Sequence, residues 1–164
     1  MKIEELLARE SIRSTMERYV SAVDRGCYSE LSEVFMPDGI MMFGEKVRYE
    51  GRNAIISGMT ENAQKRGAHN ELSFQRHLLG QSLINVIDSD NARAVTYIVS
   101  ITELGFDLSG VYVDDFARSG DKWLVAKRHA HIEWGHPESK SVKYFKPSPA
   151  PRHMLDIGFS SNLG

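Results

Sequence analysis

The chain has 164 residues, 41% of them hydrophobic and 26% charged, which suits one ordinary globular domain with a sizeable core. A net charge of -2 leaves no basic footprint and argues against nucleic acid as a partner. The one cysteine, Cys27, excludes an intrachain disulfide framework, and no apolar run approaches a membrane span, so a reducing, cytoplasmic setting is expected.

The opening MKIEELLARE interleaves acids with apolar residues and does not read as a signal peptide. Residues 3 to 25 read as helix, with a break expected near Ser11, whose side chain can cap a second segment. Ile12, Met16, Tyr19, Val20 and Val23 recur at three- and four-residue spacing, the stripe that a helix buries. Gly26 stands where a helix takes a left-handed stop. Asp24 lies in the last turn, where the helix dipole disfavours an anion, so it calls for a cation or a donor.

Leu31, Val34 and Phe35 suggest a short second helix, stopped by the turn sequence Met36-Pro37-Asp38-Gly39. Residues 40 to 43 form a short apolar run, read as a strand that turns at residues 44 to 46 and pairs back through 47 to 49. Residues 53 to 65 make a third helix with Ile55, Ile56, Met59 and Ala63 inward, ended by Arg66-Gly67.

From there the pattern is strand. Residues 73 to 87 form a long strand with a bulge expected at Gly80, followed by a hairpin turn at 88 to 91. Residues 92 to 103 are rich in Val, Ile, Thr and Tyr; 104 to 109 read as a loop, and 110 to 118 and 123 to 134 as two more strands around Ser119-Gly120-Asp121. Helices first and a strand meander last describe an α+β domain, a curved antiparallel sheet with three N-terminal helices enclosing a pocket. Residues 135 to 164 differ in kind. They hold four of the five prolines yet keep Phe145, Met154, Leu155, Ile157 and Phe159, and read as a pocket lid or a subunit-contact arm appended to a domain spanning 1 to 134.

The order of elements and several phrases resemble the SnoaL-like branch of the nuclear transport factor 2-like superfamily. The phrases are Glu-Ser-Ile-Arg-Ser-Thr-Met-Glu-Arg-Tyr, Ala-Val-Asp-Arg-Gly, Phe-Met-Pro-Asp-Gly, Gln-Arg-His-Leu and Val-Asp-Asp-Phe-Ala-Arg-Ser-Gly-Asp-Lys-Trp, spread over residues 3 to 134. The resemblance implies a cone-shaped α+β barrel; the fold alone does not imply a reaction. In site pattern it is similar to hexachlorocyclohexane dehydrochlorinase, bile-acid dehydratase and scytalone dehydratase. The aspartate ending the first helix and the histidine on the strand after the third helix match Asp24 and His77. The tyrosine of the bile-acid enzyme matches Tyr19, where the dehydrochlorinase has lysine, and an arginine of the dehydrochlorinase matches Arg128. The second histidine of scytalone dehydratase has no counterpart here.

On that resemblance His77 is the base, Asp24 fixes its tautomer, and Tyr19 and Arg128 are the electrophilic partners. The implied activity is a cofactor-independent lyase acting on a small hydrophobic, cyclic or aromatic molecule. It would proceed by dehydratase-like elimination or by a retro-aldol cleavage that releases formaldehyde. Met42, Phe43, Leu79, Tyr112, Asp114, Ile132 and Trp134 are the expected substrate-binding residues, with Asp114 also a partner for Arg128. An isomerase or polyketide-cyclase activity would use the same groups, and a non-catalytic ligand-binding or dimerisation domain is the alternative from another class. Each residue also has a plainer reading: Asp24 solvated, His77 a hydrogen-bonded core histidine, Tyr19 plain core, Arg128 a structural ion pair. His129, His131 and Glu133 alternate on one face of the last strand, as metal ligands can, but no fourth ligand accompanies them and a solvated outer face is expected. No metal or cofactor is expected, and a homodimer or homotrimer is.

Overall fold

A computed structural model of the protein describes residues 2–45, 47–67 and 74–158. The first helix, α1 (Ile3–Arg25), is continuous across Ser11. Ser11 does not cap a second segment, because its hydroxyl accepts from the Trp123 N–H at 3.2 Å. One turn on, the Thr15 hydroxyl donates to the Trp123 carbonyl at 2.6 Å, so two side chains tie the helix to the sheet. Gly26, at φ 70°, ends α1: its N–H donates to Val23 O and that of Cys27 to Ala22 O, the double bond of a left-handed helix stop.

The expected second helix is a single 3-10 segment, Tyr28–Glu33. Val34 and Phe35 lie beyond it, and Met36-Pro37-Asp38-Gly39 is no turn but part of strand β1 (Phe35–Phe43). Its pairing is irregular between Phe35 and Ile40, so Pro37 lacks an N–H only where no regular ladder needs one. β1 pairs back with β2 (Val47–Glu50) as expected, Met41 opposite Tyr49; Lys46, placed in that turn from sequence, lies outside the described residues. Helix α2 (Arg52–Lys65) buries Ile55, Met59 and Ala63.

Strands β3 (Gln75–Val86), β4 (Asn91–Thr102), β5 (Gly105–Ser119) and β6 (Lys122–Gly135) follow. Ser73, the expected start of β3, falls outside the described residues. The expected irregularity at Gly80 is present as a register shift between Leu79 and Ser82. The loop expected at 104 to 109 is shorter: Gly105, at φ 85°, pairs with Thr102 and already begins β5. The six strands form one sheet in the order β2-β1-β6-β5-β4-β3, antiparallel throughout except that β1 runs parallel to β6. Alpha-helices α1 and α2 with the 3-10 segment contribute to one hydrophobic core, built with the inner-face residues Ala94, Ile98, Phe116, Val125 and Ala130.

The described part of the tail, up to residue 158, lies on both sides of the sheet. After β6 a short helix, α3 (Lys140–Tyr144), leads to Phe145, which packs on the main core. Beyond it Ala150, Met154, Leu155 and Ile157 cover Val95, Val111 and Val113 on the outer face. Phe159 lies outside the described residues. Among the described residues no helix is long and apolar enough to cross a membrane.

Candidate active site

Asp24 sits one residue before the end of α1, where free carbonyls make an anion unwelcome. The site answers with His77 on β3. The His77 N–H donates to both carboxylate oxygens, at 3.2 and 3.0 Å, and Nδ1 lies 2.6 Å from Oδ1. The two side chains are 9% and 13% exposed, so solvent scarcely competes for these bonds. A carboxylate can only accept here, which assigns the proton to Nδ1 and leaves the Nε2 lone pair without a protein partner among the described residues.

His77 lines a pocket between the sheet and the helices, about 520 Å³ with its open mouth included. Tyr19, Val23, Met59, Ile98, Leu108, Tyr112, Ala130 and Ile132 supply most of the wall, and Asn62, Arg66, Gln75 and Ser141 supply polar groups. The tail closes one side: Phe145 stacks on Phe43 with ring centroids 4.3 Å apart.

Tyr19 is buried and meets Tyr112 edge-on at 5.7 Å. Burial raises its pKa, with the Arg128 cation pulling the other way, so near neutrality it is a phenol and a proton donor. Burial raises the Tyr112 hydroxyl further, helped by Tyr19.

Arg128 does not reach the pocket. It is fully buried behind the two tyrosines, its guanidinium 4.2 Å from each ring, and binds Asp114 through two bonds of 2.8 and 2.7 Å. Burial opposes the arginine's charge, but the Asp114 carboxylate outweighs it and holds Arg128 cationic. Asp114, expected to bind substrate, is consumed in this pair and lies off the pocket.

Other expected wall residues divide. Phe43, Tyr112 and Ile132 line the pocket. Met42 does not: it alternates with Met41 and Phe43, pairs with His129, and receives Arg48 Nη1 on its sulfur at 3.4 Å. Leu79 packs on the main core without lining the pocket. Trp134 is 46% exposed and packs on Phe106. The cause is a bulge: Ser109 pairs with Trp134 and Gly110 with Ile132, so Glu133 is the extra residue and the alternation flips after it. A second bulge at Ala126 moves Leu124 off the face of Arg128.

Residues 4–129 match the family model of the SnoaL-like domain. The chain belongs to the SnoaL-like domain family. No functionally curated protein matches it in sequence. Among solved structures, this SnoaL-like domain is similar to a candidate scytalone dehydratase from Novosphingobium aromaticivorans. The TM-score is 0.70 at 17% identity, over 83% of this chain and 91% of that one. It is likewise similar to a hexachlorocyclohexane dehydrochlorinase from Novosphingobium barchaimii, with TM-score 0.70 and 14% identity over 82% and 92% of the two chains. A protein of unknown function from Mycobacterium tuberculosis gives 0.67 and 22%, over 79% and 73%. At such identities the likeness establishes the fold alone, an α+β architecture whose six-stranded sheet stays open between the edge strands β2 and β3 where a closed barrel was expected.

On the outer face of the SnoaL-like sheet, His129 and His131 are buried, where a solvated face was expected. The tail supplies the cover, Ser148 N–H donating to Ile132 O at 2.7 Å. The two rings lie 3.8 Å apart, and the His129 Nε2 is 2.8 Å from Gly44 O. Glu133 instead accepts from Ala150 N–H, and among the described residues no group of three or more His, Cys, Asp or Glu is placed to hold a metal.

Burial lowers the His131 pKa, and a charge on His129 lowers it further. The unfolded chain, with a histidine pKa of about 6.5, then takes up the proton first as pH falls. The contribution is therefore complete above about pH 6.5 and is lost as pH drops from there towards the depressed folded value. Urea unfolding should show a lower midpoint at pH 5.5 than at pH 7.5, and the difference should shrink in His131→Gln; an equal difference in both proteins would assign it elsewhere.

Proposed function

We propose that this SnoaL-like domain is a cofactor-independent lyase for a small hydrophobic, cyclic or aromatic substrate. The observation that carries the reading is the Asp24–His77 pair, whose Nε2 has no partner among the described residues, in a largely apolar pocket. Nε2 takes a proton from the carbon next to the one bearing a leaving group, the C–H electron pair becomes the double bond, and Asp24 stabilises the imidazolium. The Tyr19 hydroxyl, held as a phenol by burial, donates to the departing hydroxyl, which leaves as water. The same base acting on the hydroxyl proton of a 1,3-diol suits a C–C cleavage: the O–H pair becomes the carbonyl of formaldehyde, the C–C pair becomes a double bond, and the second hydroxyl leaves as water with the Tyr19 proton. Ser141 and Phe145 give the tail the part of a lid over this site.

Support comes from the convergence of buried dyad, phenol donor and apolar wall in one hollow, a combination that functional sites favour and solvated pairs do not have. The test is incubation with a panel of cyclic and aromatic alcohols and diols, with product mass as the readout. Loss of water or formaldehyde that disappears in His77→Gln is expected. Products of unchanged mass would make it an isomerase or cyclase. Binding without any His77-dependent conversion would make it a binding domain.

A further inference from the structure

We propose that Arg66 anchors the substrate of this pocket, and that the substrate carries an anionic oxygen group such as a carboxylate. The inference rests on the reading of the pocket as a substrate site. Its first support is an inventory of charge: besides His77, Arg66 is the one charged side chain in the described lining, and no carboxylate lines it. Arg128 cannot take this part, because Asp114 neutralises it behind the tyrosines.

The second support is how Arg66 is held. It follows the last turn of α2 and is half-buried. Nε donates to the Asn62 carbonyl at 3.2 Å and Nη1 to the Ser141 hydroxyl at 2.8 Å. Both acceptors are neutral. Nη2 has no hydrogen-bond partner among the described residues, and no described carboxylate lies within ion-pair distance of the guanidinium. The plane is steadied by Phe145, whose ring centroid is 5.9 Å away. A cation positioned by neutral groups, partly withdrawn from water and with one nitrogen unused, is an anion site awaiting its anion.

The third support is place. Arg66, Gln75 and Ser141 line both the inner pocket and an outer hollow of about 590 Å³ with open solvent included, so the guanidinium stands at the neck between them. The outer hollow holds the acids Glu103, Asp107 and Glu138, of which Glu103 pairs with Lys140 at 3.8 Å. An anionic ligand gains nothing by staying there. Its charge settles on Arg66, and its apolar body extends inward over Phe43, Ile98 and Ile132 towards His77.

The experiment compares two probes of one shape, cinnamate and its uncharged amide, by NMR titration of the full chain. Wild type should bind cinnamate at least about ten-fold tighter than cinnamamide, a charge-assisted bond being worth about ten- to a hundred-fold. Arg66→Gln should remove that preference and leave cinnamamide binding in place, while Arg66→Lys should keep part of it. Raising salt should weaken cinnamate alone, a readout that does not depend on any variant folding. Equal affinity for the two probes, cinnamate binding unaffected by Arg66→Gln, or binding of neither probe overturns the proposal. His77→Gln separates this reading from the lyase reading, because it should keep the cinnamate preference while sharply lowering turnover. Cinnamate held by Arg66 in a protein without His77-dependent turnover would leave the anchor standing and remove the lyase; turnover without the preference would do the reverse.

Discussion

In His77→Gln, turnover of the substrate identified by product mass should fall about 10²- to 10⁴-fold, the usual contribution of a positioned general base. The fold should survive. Glutamine keeps a polar group in a side chain of similar length, and the His77 backbone N–H still binds Asp24 through two bonds. Asp24→Asn should lower turnover comparably for a different reason. The amide can present a donor to Nδ1, which favours the tautomer with the proton on Nε2, and it no longer balances the imidazolium charge. Its effect on stability should be small, because an uncharged residue suits the helix C-terminus better while its bonds to the His77 N–H are weaker, and the two effects offset. The decisive comparison is urea midpoint against kcat in each variant. Midpoints near wild type with kcat reduced assign the pair to catalysis, whereas kcat unchanged in both makes it a structural hydrogen bond.

The parts of this site that were legible in sequence are those governed by one periodicity over an uninterrupted stretch. Tyr19 and Asp24 follow from the helical stripe and its glycine stop. His77 rests on family resemblance, and its inward position on β3 agrees with pairing opposite Ser100. Strand parity failed where it had to be carried across irregular ladders. Bulges at Ala126 and Glu133 each shift the face by one residue, and nothing in the composition of β6 marks them. The Met36-Pro37-Asp38-Gly39 reading failed because the signals of a turn serve equally for an unpaired stretch of strand. Arg66, Asn62, Gln75 and Ser141 were missed for a further reason. A helix-end arginine looks solvated in sequence, and Ser141 belongs to a proline-rich tail whose return over the pocket is a matter of tertiary packing.

Asp114→Ala should be the most destabilising single change, at about 3–5 kcal/mol, the usual consequence of leaving one member of a buried pair uncompensated. Both side chains are wholly inaccessible, and among the described residues the Arg128 Nη1 has no hydrogen-bond partner, so no second carboxylate there takes over the charge. Arg128→Met alone should cost a similar amount through the stranded carboxylate, though Asp114 can take up a proton, since burial already raises its pKa against the pull of Arg128. The double variant Asp114→Leu with Arg128→Met should recover most of the loss, because two apolar side chains of similar volume need no compensation. Urea unfolding of Asp114→Leu, Arg128→Met and their double measures this directly, and a double variant as unstable as the sum of those singles would refute a coupled pair. Activity should not recover with stability. The guanidinium lies against the rings of Tyr19 and Tyr112 and lowers the Tyr19 pKa from the value that burial alone would set. Without it the phenol is a weaker acid and its ring loses one wall, so the proton donor of the proposed mechanism becomes both less effective and less well aimed. A stable double variant with reduced turnover is the result that gives Arg128 a positioning role for Tyr19 and not a place among the groups that touch substrate.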